Sequence, residues 1–267
     1  MAYFTTDMNK KIYYEHHAGG KHAVVLIHGW GMSLRVWDTT LKWLLANGFE
    51  VLAFDQRGCG MSDKDFPAVT IDQLAQDCVA LVNACKIKKP VLNGWSLGGA
   101  VAVNAAARLG ANCAGVISTC GATPRYTQTD GFPYGGMADD VAATVDAMRA
   151  DRATFFHGLS RAVCAKPVGQ AVEDWMWSIF MQTAPCADNA LFELANLDQR
   201  DVLAGLSVPF LSIVGSLDGF TAADIGRAAA TLAKSGELVE FADVGHAPFA
   251  EVFDDYIAAL GGFLAKL

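Results

Sequence analysis

The stretch "NGWSLGG" (93–99) decides how this chain is read. It follows the short apolar run 90–92 and leads into "GGAVAVNAAARLG" (98–110), whose small residues recur at helical spacing. Its centre, Gly94-Trp95-Ser96-Leu97-Gly98, has the form Gly-x-Ser-x-Gly. With Gly and Ser each near 7% of average usage, three such fixed positions arise by chance in about one chain of this length in ten. The spacing alone decides nothing, and its place between a strand and a helix does. A serine at such a turn must take an unfavourable backbone conformation for its hydroxyl to project above the sheet. Side chains at 94 and 98 would collide with the neighbouring strand and helix. The helix start also supplies free N–H groups and a positive dipole end beside a developing oxyanion.

Outward from Ser96, strand and helix signals alternate. Residues 12–16 and 22–27 read as strands joined by a Gly19-Gly20 turn. "RVWDTTLKWLLANG" (35–48) reads as a helix, "FEVLAF" (49–54) as a buried strand, and 70–85 as a helix with Thr70 as its N-cap. Residues 90–94 and 113–119 are strand-like. This rhythm, with short connections, predicts an α/β fold: a mostly parallel twisted sheet flanked by helices on both faces. It breaks from 121 to 206, a helical stretch rich in aromatics, including Phe155, Phe156, Trp175, Trp177 and Phe180. It resumes with "PFLSIVG" (209–215), a helix over 221–234, "ELVEFADV" (237–244) and a final helix over 253–267. The expected organisation is a core in two parts, 1–120 and 207–267, interrupted by a helical lid at 121–206.

Composition bounds the function. The chain has 267 residues, 52% hydrophobic and 18% charged, ample for a large buried core. A net charge of −8 and a pI near 5.1 argue against nucleic acid or anionic membrane as partners. No run approaches 18 apolar residues, and the first 20 residues hold no signal-like segment. Seven cysteines, an odd number without paired spacing, read as free thiols in a reducing, cytoplasmic compartment. No metal-ligand cluster, phosphate loop or dinucleotide fingerprint is present, so neither metal nor cofactor is expected.

Four segments follow strands on one edge of such a sheet, where ligands sit in open α/β folds: "HGWG" (28–31), the turn at Ser96, "GSLDG" (215–219) and "GHAPF" (245–249). A serine hydroxyl needs a base, and the base needs a carboxylate to fix its tautomer. Among six histidines, His246 lies in the loop between the last strand and last helix. His16, His17 and His22 fall on early strands, His28 orders the loop it opens, and His157 lies in the insertion. Asp218 ends a strand 28 residues earlier. Asp243 is the rival, too near His246 in sequence to face its ring, and the strand end "STCGA" (118–122) offers no carboxylate. The oxyanion donors are then the amides of Leu97 and Trp30. Trp95 flanks the serine and shapes the pocket floor, and Phe155, Trp175 and Trp177 are candidate pocket walls. "DQRGCGMSD" (55–63) reads as a rigid structural turn in which Asp55 and Arg57 brace neighbouring loops.

Together these residues resemble the α/β-hydrolase superfamily, whose Ser–Asp–His order they share. "HGWGMSLRVW", "GWSLGG", "GSLDG" and "HAPF" look like the pimeloyl-carrier-protein methyl ester carboxylesterases. The insertion segments "DRATFFHGLSRAV", "VEDWMWSIFMQTA" and "LANLDQRDVLAGLSVP" are similar to the cofactor-free haloperoxidase and aryl-esterase group. The resemblance implies a serine carboxylesterase with the triad Ser96, Asp218 and His246, an oxyanion site at Trp30 and Leu97, and a helical lid. It leaves as alternatives a lactonase or C–C bond hydrolase with the same triad, a perhydrolase-like activity, and a slow-turnover ligand receptor. Gly31 follows Trp30 where perhydrolase-like members often carry Pro, which counts against perhydrolysis. From 122 to 200 there are six basic against ten acidic residues, a balance of −4 that argues against docking an acidic carrier protein. The expected substrate is a small free ester or lactone.

Overall fold

The computed structural model describes residues 2–67 and 69–267. Its frame is an eight-stranded sheet: β1 (Ala2–Thr5), β2 (Lys11–His17), β3 (Lys21–Ile27), β4 (Phe49–Phe54), β5 (Val91–Trp95), β6 (Gly115–Thr119), β7 (Phe210–Gly215) and β8 (Gly236–Phe241). The spatial order is β1-β2-β4-β3-β5-β6-β7-β8. β1 and β2 join antiparallel, and β3 to β8 run parallel. The central strands β5, β6 and β7 are buried along their whole length because both faces are covered. Along β3, Val25 and Ile27 enter one core while Val24 and Leu26 enter the other, and all four are fully buried.

The helices are α1 (Asp38–Ala46), α2 (Ile71–Ala84), α3 (Leu97–Leu109), α4 (Ala138–Ala150), α5 (Arg152–Ala162), α6 (Gln170–Phe180), α7 (Asp188–Asn196), α8 (Arg200–Gly205), α9 (Ala223–Leu232), α10 (Pro248–Glu251) and α11 (Phe253–Leu264). One face of the sheet carries α2, α3, α8 and α9, and the other carries α1 and α11. Thr70 caps α2 as its sequence predicts: its hydroxyl accepts from Gln73 N, and Gln73 Oε1 accepts from Thr70 N, each at 3.1 Å. The five helices α4 to α8 fill the connection between β6 and β7, where strand signals fail.

Four boundaries differ from the sequence reading. β1 is additional, a half-exposed edge strand of four residues too short to carry a periodic signal. The segment 35–48 is a 3-10 turn at Leu34–Trp37 followed by α1, which ends before Gly48 at φ 81°. The last strand stops at Phe241, and Asp243 turns the chain at φ 57°. The final helix begins at Phe253 as read but ends at Leu264, and a separate short helix, α10, precedes it because Val252 leaves helical geometry between the two.

The turn 55–63 has the bracing part its glycines and charges imply. Asp55 accepts from the amides of Leu34 and Met61, each at 2.7 Å. Arg57 forks onto the two carboxylate oxygens of Asp77 on α2 at 2.6 and 2.8 Å, with both side chains buried. The loop 28–31 is locked from behind by His28. Its Nε2 accepts from Gln56 N at 2.9 Å, so the proton lies on Nδ1, which donates to Gly29 O at 2.7 Å. Complete burial pushes the pKa of His28 down to about 4 and keeps the ring neutral.

Candidate active site

Ser96 joins β5 to α3 with φ 57° and ψ −125°, a conformation that L side chains rarely adopt. It is held by three main-chain bonds: its amide donates to Thr119 O at 3.1 Å, and its carbonyl accepts from Gly99 N and Ala122 N at 2.9 Å. The flanking glycines are required sterically. A Cβ on Gly94 would fall 2.0 Å from Gly98 O, and one on Gly98 would fall 2.4 Å from Ile27 O. The second contact also sets loop 28–31 beside the serine, where a Cβ on Gly29 would lie 3.0 Å from the Ser96 Cβ.

The acid and the imidazole meet because β7 and the loop after β8 touch without side chains between them. A Cβ on Gly215 would fall 2.1 Å from Gly245 O. Asp218 Oδ2 then lies 2.8 Å from His246 Nδ1, with both side chains buried. Asp218 Oδ1 accepts from the amides of Phe220 and Thr221 at 2.8 and 2.9 Å. Burial pushes the Asp218 carboxyl up. The charge of His246, the bond to its ring and the two amides outweigh that and hold Asp218 below the ordinary carboxylate value. Thr221 Oγ1 sits 2.8 Å from both Asp218 Oδ2 and Cys120 O, bracing the acid against the end of β6. The rival, Asp243, is exposed and takes no part in this pair; its amide is held by Ser216 Oγ.

Ser96 and His246 face one cavity of about 120 Å³. Gly29, Trp30, Trp95 and Leu97 complete its floor. Met148 of α4, Phe155 and Leu159 of α5, Phe180 of α6 and Leu191 of α7 make its roof. The walls are mostly apolar, with Tyr126 and Thr144 the polar side chains beside Ser96 and His246, and among the described residues no Lys, Arg, Asp or Glu lines them. Among the described residues the amides of Trp30 and Leu97 have no hydrogen-bond acceptor in the protein. Trp175 and Trp177, expected in the wall, do not line the cavity. α6 turns Met176, Ile179 and Phe180 inward, so these two tryptophans fall on its flanks, and the Trp177 ring meets His157 at 5.1 Å. Phe180, on the same aromatic run, is the residue that reaches the cavity.

Further contacts fix the floor of the cavity and loop 28–31. Trp95 lines the floor, and its indole N–H donates to His246 O at 2.7 Å. Trp30 Nε1 donates to Ala187 O at 3.0 Å and Thr183 Oγ1 to Gly31 O at 2.6 Å, which tie loop 28–31 to the helices above. Cys120 lies with Asp218 and His246, their ligand-type atoms all within 4.8 Å. Burial and the Asp218 charge push its thiol well above the ordinary value, so it stands as a neutral neighbour of the pair. All seven cysteines are free thiols, four of them buried.

Comparison with known proteins agrees with this architecture. A pimeloyl-acyl-carrier-protein methyl ester esterase from Vibrio cholerae is 30% identical over 247 residues, covering 88% of this chain and 92% of the relative. Two solved structures share the fold. An esterase from Exiguobacterium antarcticum superposes with a TM-score of 0.94 at 24% identity, covering 98% of each chain. A bromoperoxidase from Bacillus anthracis superposes with a TM-score of 0.91 at 22% identity over 96% of each. No helix among the described residues is long and apolar enough to cross a membrane. A family model described as alpha/beta hydrolase matches residues 24–259, and the chain belongs to that family.

Proposed function

We propose that this chain is a serine hydrolase of small, uncharged carboxylic esters. Ser96 Oγ attacks the ester carbonyl while His246 Nε2 takes its proton, and Asp218 fixes the ring tautomer and steadies the imidazolium. The amides of Leu97 and Trp30 receive the oxyanion of the tetrahedral intermediate. His246 then protonates the leaving alcohol, and water releases the acyl group from Ser96 by the reverse sequence. The observation that carries this reading is the pairing at 2.8 Å of Asp218 with a histidine that shares its cavity with a serine at φ 57°.

The apolar walls favour a neutral acyl or aryl group, since such sites are mostly hydrophobic with few polar contacts. A cavity of about 120 Å³ favours a short one. The balance of −4 over 122–200 and the absence of a cation in the lining count against a carrier-bound substrate like that named for the Vibrio cholerae relative. We read 121–206 as the insertion between core parts 1–120 and 207–267, with α4 to α7 as the lid. Seven free thiols favour a reducing, cytoplasmic setting.

The test is a burst experiment with p-nitrophenyl acetate and butyrate on the wild type and Ser96→Ala. A burst of one equivalent followed by turnover, lost in Ser96→Ala, is the expected outcome, together with labelling of Ser96 by an organophosphonate. Turnover that survives the substitution removes Ser96 from the mechanism.

A further inference from the structure

Glu251, at the end of α10, has no part in the reaction just described, yet its carboxylate gathers four backbone amides. Gly245 N donates to both oxygens, at 3.0 and 2.9 Å, and Ala247 N donates to Oε1 at 3.3 Å. Ala165 N and Lys166 N donate to Oε2, each at 2.9 Å. The first two amides flank His246 on either side. The other two belong to the connection between α5 and α6, in the lid. The same junction holds one more bond, from His246 N to Val163 O at 2.9 Å. A Cβ on Gly245 would fall 2.5 Å from Ala165 N, so the two segments touch main chain to main chain.

We infer that Glu251 is a positioning residue that binds the lid connection 163–166 to both flanks of His246, so that lid seating and alignment of the imidazole are one event. The inference rests on His246 being the general base. The Asp218 bond leaves the imidazole free to slide with its own backbone. That backbone is fixed at its amide by Val163 O, at its carbonyl by the Trp95 indole, and through its neighbours by Glu251. Amide-to-carboxylate bonds are stronger than amide-to-carbonyl bonds, and here one carboxylate replaces four separate partners. The requirement is geometric, since a displacement of about 1 Å at a reacting group lowers rate by about a hundredfold.

The experiment compares wild type, Glu251→Ala, Glu251→Gln and Glu251→Asp with p-nitrophenyl butyrate. It reads kcat and KM separately, the rate of organophosphonate labelling, and far-UV circular dichroism. Glu251→Ala is expected to lose kcat and labelling rate by about tenfold to a hundredfold with KM within about threefold, while Glu251→Asp, which keeps the carboxylate, recovers part of the loss. Glu251→Gln, which keeps one acceptor oxygen in a side chain of equal length, falls between them and carries the comparison where the alanine variant does not fold. A folded variant whose kcat stays within about fivefold of wild type, or in which KM alone rises, overturns the inference and leaves Glu251 a lid-stability residue. Loss of all turnover in Ser96→Ala with unchanged kcat in Glu251→Ala refutes the positioning role alone, whereas survival of turnover in Ser96→Ala refutes the underlying mechanism.

Discussion

Acidification acts on this fold through His28 in a way that can be isolated. The ring is wholly buried behind loop 28–31, and its pKa is pushed down to about 4 from an ordinary 6.5. The folded state therefore prefers the neutral form. Its contribution is fully present above pH 6.5, is lost progressively as pH falls, and is gone below pH 4. The loss amounts to about 2 kcal/mol at pH 5 and about 3.4 kcal/mol at its limit. Other groups are shifted on folding with both signs: Asp77 and Asp188 are held above the ordinary carboxylate value by burial, and Asp198 below it chiefly by its bond from Arg200. A single curve cannot separate them, so the perturbation is the pair wild type and His28→Gln. Gln keeps an acceptor for the Gln56 amide but cannot take a proton. Urea unfolding at pH 7.5 and pH 5 gives the difference in stability between the two proteins. That difference is expected to shrink by about 2 kcal/mol on acidification, because the variant lacks the linkage. A difference that stays constant between the two pH values refutes the neutral, buried assignment.

Two further outcomes follow from the site. Asp218→Asn is expected to lower kcat on p-nitrophenyl acetate by up to about 10⁴-fold with the fold intact, while Asp243→Asn stays within about twofold, and near-normal turnover in the first variant moves the acid elsewhere. Met148→Trp, which fills the roof of the cavity, is expected to lower kcat/KM for p-nitrophenyl butyrate by about tenfold or more relative to acetate. Equal losses on the two esters would place the acyl chain outside this cavity.

What could be read from the sequence depended on how local the cause was. The sheet was legible because buried parallel strands such as 24–27 and 210–214 are short apolar runs, broken in the second only by Ser212, and the glycines around Ser96 act on atoms within a few residues or on the adjacent strand. Asp218 and His246 could be placed on one sheet edge from strand ends alone, and the structure sets them 2.8 Å apart. The helices between β6 and β7 were less legible. An aromatic run such as "WMWSIF" (175–180) announces a helix without fixing which face turns inward, and tertiary packing selected Phe180 over Trp175 and Trp177. The contacts of Cys120 with 218 and 246 and those of Glu251 with 165 and 166 left no signal, because these partners lie in distant segments; only the bonds of Glu251 to 245 and 247 are local.

The two bonds that reach up from loop 28–31, from Trp30 Nε1 to Ala187 O and from Thr183 Oγ1 to Gly31 O, bear on how this protein can be recombined with its relatives. A chimera that exchanges the helices between β6 and β7 while keeping residues 28–31 loses the second bond unless the incoming segment places a donor at 183, and keeps the first only if its main chain holds the carbonyl at 187 in place. A mismatch strands the buried Gly31 carbonyl and the Trp30 indole N–H beside the cavity. The exchangeable module is therefore not the continuous stretch between β6 and β7 alone but that stretch plus a tetrapeptide about ninety positions upstream. Libraries that vary these helices and the loop as a linked pair should keep more functional members than libraries that vary the helices alone.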